Sequence, residues 1–272
     1  TVSKADGGTF DGAVTLAGGV SGNTTFNNVV AIVGDLQSST DGTSNFRAGV
    51  NAGDSIQSGG NYNVLIGDEA GQAITTGDNN VAVGFEALTT EDAHGFNTAV
   101  GYRSLKTLNA GAEGYNTAIG ADAGLSISTG VLNTFVGAFS GDALTTGTTN
   151  VGVGYLTLSA ETTGQRNTAM GYSALANQNF TGDTQAYNSA YGFFAGLNIT
   201  TGELNTLIGG LAGDALTDAD DNTVVGTVAL TADTKGSRST AIGRGTLGAQ
   251  NFTSATNSYN TALGYSAGVS VS

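Results

Sequence analysis

The chain has no cysteine, no proline and no tryptophan, and a single histidine and a single methionine among 272 residues. Without cysteine there is no disulfide staple and no thiolate nucleophile. With His94 alone, Cys–His catalysis and multi-histidine metal sites are excluded. The missing proline is informative in another way. Proline deletes a ladder hydrogen bond wherever it falls in a strand, so its absence fits a chain that lies mostly in or beside a sheet. Basic residues are scarce, eight against 22 acidic ones, for a net charge of −14. Nucleic-acid phosphates demand Lys and Arg, so no nucleic-acid partner is expected, nor an anionic membrane surface. The acidic balance serves solubility and resistance to side-by-side aggregation. No apolar run approaches the roughly 20 residues needed to cross a bilayer, and no membrane insertion is expected. The opening Thr1-Val2-Ser3-Lys4 lacks a signal-peptide layout.

Glycine, by contrast, is plentiful, with 44 copies, and it falls in register. The phrase Asn116-Thr117-Ala118-Ile119-Gly120 recurs from end to end, and its closing glycines stand at 49, 67, 84, 101, 120, 137, 154, 171, 192, 209, 226, 243 and 264. The basic step is 17 residues, which signals a solenoid of about 13 coils. Glycine, β-branched residues and Asn recur too often for a sustained helical pattern. The expected fold is therefore all-β, a parallel β-solenoid in which each coil holds two short strands and two turns. At the inter-strand spacing the rod would be about 60 Å long. Like residues would stack in ladders along it.

Alternation places Thr and Ile of the phrase on one side and Asn and Ala on the other. The fourth position is Ile, Val, Met, Leu or Tyr in every copy from Asn63 onward. This predicts that the fourth position faces the core and the Ala-rich third position forms a flat outer face. A finer rhythm lies four residues past each glycine: Gly71, Leu88 and Leu105, then Gly124, Gly141, Leu158 and Leu175, and so on. Where that site is glycine, an apolar residue follows three places later, as at Ile74, Ile127 and Leu144. Where it is leucine, the later site is usually polar, as at Glu91, Glu161, Gln178, Asp233 and Gln250. Each coil thus brings one extra apolar anchor at one of two places, as a narrow core requires.

The rhythm defines a super-repeat of four coils, ended by Tyr115, Tyr187 and Tyr259 at spacings of 72. The units are 45–115, 116–187, 188–259 and a partial 260–272. The fourth coil of each is longer, adding projecting loops at 106–114, 176–186 and 248–258. Residues 1–44 do not share the register and read as a β-rich leader or collar. The Ala-rich outer strand suits packing of three rods about an axis.

Asn97–Leu105 and Asn167–Leu175 carry a resemblance that covers about 45–272. The coils resemble the repeat rods of phage tail and head fibres, and are related to the head domain of trimeric autotransporter adhesins. The resemblance implies a left-handed β-roll in an intertwined or side-by-side homotrimer, against the general right-handed preference of parallel crossovers. It implies a non-catalytic viral fibre segment at the virion surface, extracellular, whose partners are itself and a host cell-surface glycan or protein. The alternative is the head domain of a bacterial trimeric surface adhesin. The step of 17 exceeds the shorter coils of adhesin heads, and no translocator lies among these residues. The sequence stops inside a coil after Gly268, so the expectation is that further material, such as a trimerisation chaperone, has been removed or left out.

Chemistry is sparse. No catalytic residues, no metal ligands and no cofactors are assigned. His94 sits in a turn beside Glu91 and Asp92, where a lone exposed histidine is uninformative. Asp218, Asp220 and Asp221 cluster in a turn, but their spacing matches no calcium loop and reads as an Asx-rich turn. No carboxylate pair stands out for glycoside hydrolysis. Aromatics after the motif glycines, such as Tyr155, Tyr172 and Phe193, would form ladders suited to interchain packing or to glycans. An ice-binding Thr array is disfavoured because the Thr column is expected to point inward. The candidate surface-recognition residues are Asn179, Phe180, Asn251 and Phe252, in two copies of one loop phrase.

Overall fold

The computed structural model describes residues 41–271. The leader expected over 1–44 lies almost wholly outside them. Thirteen three-residue strands, from Phe46–Ala48 to Thr261–Leu263, form one parallel sheet in strict sequence order. Each strand pairs only with the coil before it and the coil after it, and no helix occurs among the described residues. Ile119 pairs with Val136 and Val136 with Val153, so like stacks on like. The chain is a β-solenoid with the 17-residue step read from its glycines.

The two sides of the strand are reversed from expectation. Ala118, Leu65, Phe135 and Leu207, all third-position residues, are fully buried, whereas fourth-position Ile119 and Ile208 are each 41% exposed. The interior belongs to Asn and Ala, and the outer face to Thr and the β-branched residue. The reason is the asparagine. Its amide cannot be left unpaired inside, but the coil spacing lets successive amides satisfy one another. Asn133 donates its backbone N–H (3.0 Å) and its Nδ2 (3.3 Å) to Asn116 Oδ1, and its Nδ2 also reaches Gly147 O at 2.9 Å. Asn150 repeats the pattern on Asn133 Oδ1. The ladder runs from Asn45 to Asn222, with Ser239 taking up only its backbone half. A column of paired amides fills the width that Ile would otherwise occupy, and small Ala completes it.

The opposite wall of the coil is not a second strand, as had been expected. Residues two and four past the closing glycine have positive φ, for example Glu86 at 54° and Leu88 at 52°. That alternation breaks β geometry, although its N–H groups still bond the next coil, as in Leu88 N to Ser104 O at 3.0 Å. A leucine in this conformation costs about 1–2 kcal/mol, which full burial of Leu88, Leu105, Leu158 and Leu175 offsets. The expected single anchor per coil holds except where Leu105 and Leu108 are buried together, and where the wall site is glycine a second anchor is excluded sterically. A Cβ on Gly124 would come within 2.9 Å of both Ile127 Cδ1 and Leu105 Cδ2. At the corner, Gly137 has φ 133°, and a Cβ there would lie 2.3 Å from Gly154 O. The small residues three past each glycine, Ala70 through Thr246, are buried without exception.

Replacing Asn133 with Ala should lower stability by about 3 kcal/mol, because it strands the Asn150 donors and the Gly147 carbonyl away from water. A urea midpoint unchanged from wild type would contradict the inward ladder.

Candidate interaction surfaces and loop anchors

The outward face of the sheet carries three parallel columns. The middle column is mostly threonine (Thr98, Thr117, Thr134, Thr168, Thr206, Thr240), half-buried and paired in register. Threonine therefore points outward, and the inward orientation that counted against a Thr array is corrected. The second column is the apolar ridge of Ile66, Val83, Val100, Ile119, Val136, Val153, with its later members Met170, Tyr191 and Ile208 all more than a third exposed. The residue before each Asn supplies the third. There Phe96 stacks on Tyr115 at 5.0 Å, and Arg166 and Arg238 lie 5.4 Å and 5.7 Å over the rings of Tyr187 and Tyr259. The tyrosines that end each unit thus rest on the coil beneath. Beyond the closing glycine, Tyr155, Tyr172 and Phe193 form the expected ring ladder, with centroids 5.4 Å and 5.5 Å apart.

The projecting loops are tied down by acids that the sequence rhythm flagged only as polar. Glu91, Glu161 and Asp233 are completely buried. Glu161 Oε1 accepts the N–H groups of Thr162, Thr163 and Gly164 (2.9, 3.1 and 2.7 Å) and that of Phe180 in the loop of the next coil at 3.2 Å. Its Oε2 accepts Gln178 Nε2 at 2.8 Å, and Gln178 Oε1 accepts Asn188 Nδ2 at 2.8 Å. Carboxylate, loop and asparagine ladder form one network. Asp233 does the same with Gly236 N, Phe252 N and Gln250 Nε2. Gln250 Oε1 in turn accepts Asn260 Nδ2 at 2.7 Å. Glu91 has backbone donors alone. It accepts Asp92 N, His94 N and Ala110 N, each at 3.2 Å. Burial pushes its carboxyl above the ordinary value, and the backbone donors offset this only in part.

Of the four candidate recognition residues, Asn179 and Asn251 are exposed, Phe252 is half-buried and Phe180 is only 4% exposed. Phe180 is an anchor that fills the loop from within, so it offers no ring to a ligand; Asn179 and Asn251 are the surface groups of that phrase. The anchoring acids were missed in the sequence. Their signal was an acid three residues past the leucine in the third coil of every unit, at 91, 161 and 233. Asp218, Asp220 and Asp221 are spoken for: Lys235 pairs with Asp218, Arg238 with Asp221, and Asp220 accepts Glu203 N at 2.9 Å. Among the described residues the one grouping able to offer three metal-ligand atoms is Glu91, Asp92 and His94. No pocket opens among the described residues.

No protein-family profile, no curated protein and no solved structure matches the chain.

The Glu161→Ala variant should release the loop at 176–186, since five donors lose their acceptor at once. Hydrogen exchange should lose protection across that loop, while Asp183→Ala, at its exposed tip, leaves the pattern unchanged.

Proposed function

We propose that this chain is a non-catalytic, structural and adhesive segment of a viral (phage) fibre, a left-handed rod that works as a homotrimer at the virion surface. The observation that carries this reading is the outer ridge. It is an unbroken apolar column running the length of the sheet, flanked by stacked aromatics and free of charge on the strands from Val64–Ile66 onward. Solvent-exposed apolar surface of that extent marks an interaction site, and a straight ridge of constant pitch fits best against another copy of itself. Three copies about a common axis would bury the ridges together and leave the loops and acidic groups outward. The 17-residue repeat and its Asn-Thr-Ala-Ile-Gly phrase support a fibre rod in preference to an adhesin head, as does the even spacing of the loops. Asn179 and Asn251 are the exposed loop groups that would meet a host glycan or protein.

Analytical ultracentrifugation should give three times the chain mass of 26.9 kDa, and a folded, purely monomeric wild type would sink the proposal. Ile119→Asp combined with Ile208→Asp should dissociate the assembly while leaving each rod β-folded, because both side chains lie outside the coil. A glycan array read with the trimer and with Asn179→Ala/Asn251→Ala tests the adhesive part separately.

A further inference from the structure

The three units build their buried-acid anchors alike, except in the first. In the second and third, a glutamine from the coil above donates to the acid: Gln178 to Glu161 at 2.8 Å and Gln250 to Asp233 at 2.5 Å. In the first unit the corresponding residue is Leu108, which is fully buried and has nothing to donate. A second change accompanies it. Three residues past the acid the later units have Gly164 and Gly236, and a side chain placed there would point straight into the carboxylate, its Cβ 2.5 Å from Glu161 Oε2 or 2.1 Å from Asp233 Oδ2. The first unit has His94 at that position. One unit has therefore lost the amide that partners its buried acid and has gained an imidazole aimed at it.

The imidazole does not replace the amide as a hydrogen-bond donor. His94 Nδ1 lies 3.4 Å from Glu91 Oε1, and it is buried with no hydrogen-bond partner. Asp92 adds a second carboxylate, and the three ligand atoms all lie within 4.8 Å of one another. Two donors bonded to one zinc ion at about 2.0–2.1 Å in tetrahedral geometry stand about 3.3 Å apart. The Glu91–His94 separation matches a shared ion, and a rotation of the half-buried Asp92 would bring in the third ligand. We propose that Glu91, Asp92 and His94 bind one divalent transition-metal ion of zinc's class through His94 Nδ1 and one oxygen of each carboxylate. The mixed imidazole–carboxylate set suits zinc, nickel or cobalt better than calcium or magnesium, which prefer oxygen alone. Three protein ligands leave a position for water on the exposed side. The ion would neutralise the Glu91 charge, as Gln178 helps to meet that of Glu161 and Gln250 that of Asp233. Through the Ala110 N–H held by Glu91 it would fasten the loop at 106–114.

The test uses tag-free protein stripped with chelator and titrated with zinc chloride by calorimetry, with thermal melts in parallel. Wild type should take up one zinc per chain, saturably, and its melting temperature should rise; a calcium titration should give no saturable heat. His94→Ala should lose the saturable uptake and the rise in melting temperature. Because a single change could unsettle the turn, His94→Gly/Leu108→Gln rebuilds the arrangement of the other units. It should fold with the stability of metal-free wild type and bind no zinc. Absence of saturable uptake by wild type, or equal uptake by either folded variant, overturns the proposal.

Discussion

Everything in this solenoid depends on a buried amide that can be satisfied only by another amide one coil away. An asparagine inside a protein is costly unless each of its groups is paired. Here Oδ1 takes both donors of the next coil, and Nδ2 divides itself between the previous Oδ1 and a backbone carbonyl. That arrangement fixes the spacing and the register together, because a slip of one residue would bury Thr and unpair every amide. The hydrophobic contribution is secondary in specifying the fold. The core is narrow: most coils bury Ala and one larger anchor, and where a coil buries two, as with Phe135 and Leu144, the neighbouring strand makes room, Phe135 facing Gly152.

The anchors give the column its four-coil rhythm. Leucine enters from the wall with positive φ, or an aliphatic side chain enters from the turn; a Cβ at Gly124 would clash with Ile127, and only the coil of Leu105 and Leu108 buries an apolar residue at both places. Once leucine takes the wall, the turn position is free for a polar group, and the long loops are fastened there. Burial of Glu161 and Asp233 follows from packing, and each is met by backbone donors and a glutamine. The solenoid thus turns a steric restriction into a recurring point of attachment.

The architecture was largely legible in the sequence. Glycine spacing gave the period, the stacking and the order of strands, and the exchange of Gly71 or Gly124 for Leu88 or Leu105 gave the anchors. The direction of the strand was not legible, since a hydrophobicity ranking puts Ile119 inside and Asn116 outside, and only the pairing of amides across coils reverses it. The second strand was lost for a related reason: positive φ at residues such as Leu88 and Leu105 is not visible in side chains that normally avoid it. On the candidate site, Asn179 and Asn251 fell on the surface as read. Phe180 did not, because the acid that draws its backbone inward sits 19 residues earlier in sequence.

A strand bonded only to its immediate predecessor and successor has a consequence for how the molecule comes into being. Every ladder bond of the asparagine column joins residues at most 21 positions apart, so no segment waits for a distant stretch of chain. A coil can settle onto the one already laid as soon as its own residues leave the ribosome. Growth proceeds from whichever end is seeded first, and total length alters the time to completion without altering the difficulty of any step.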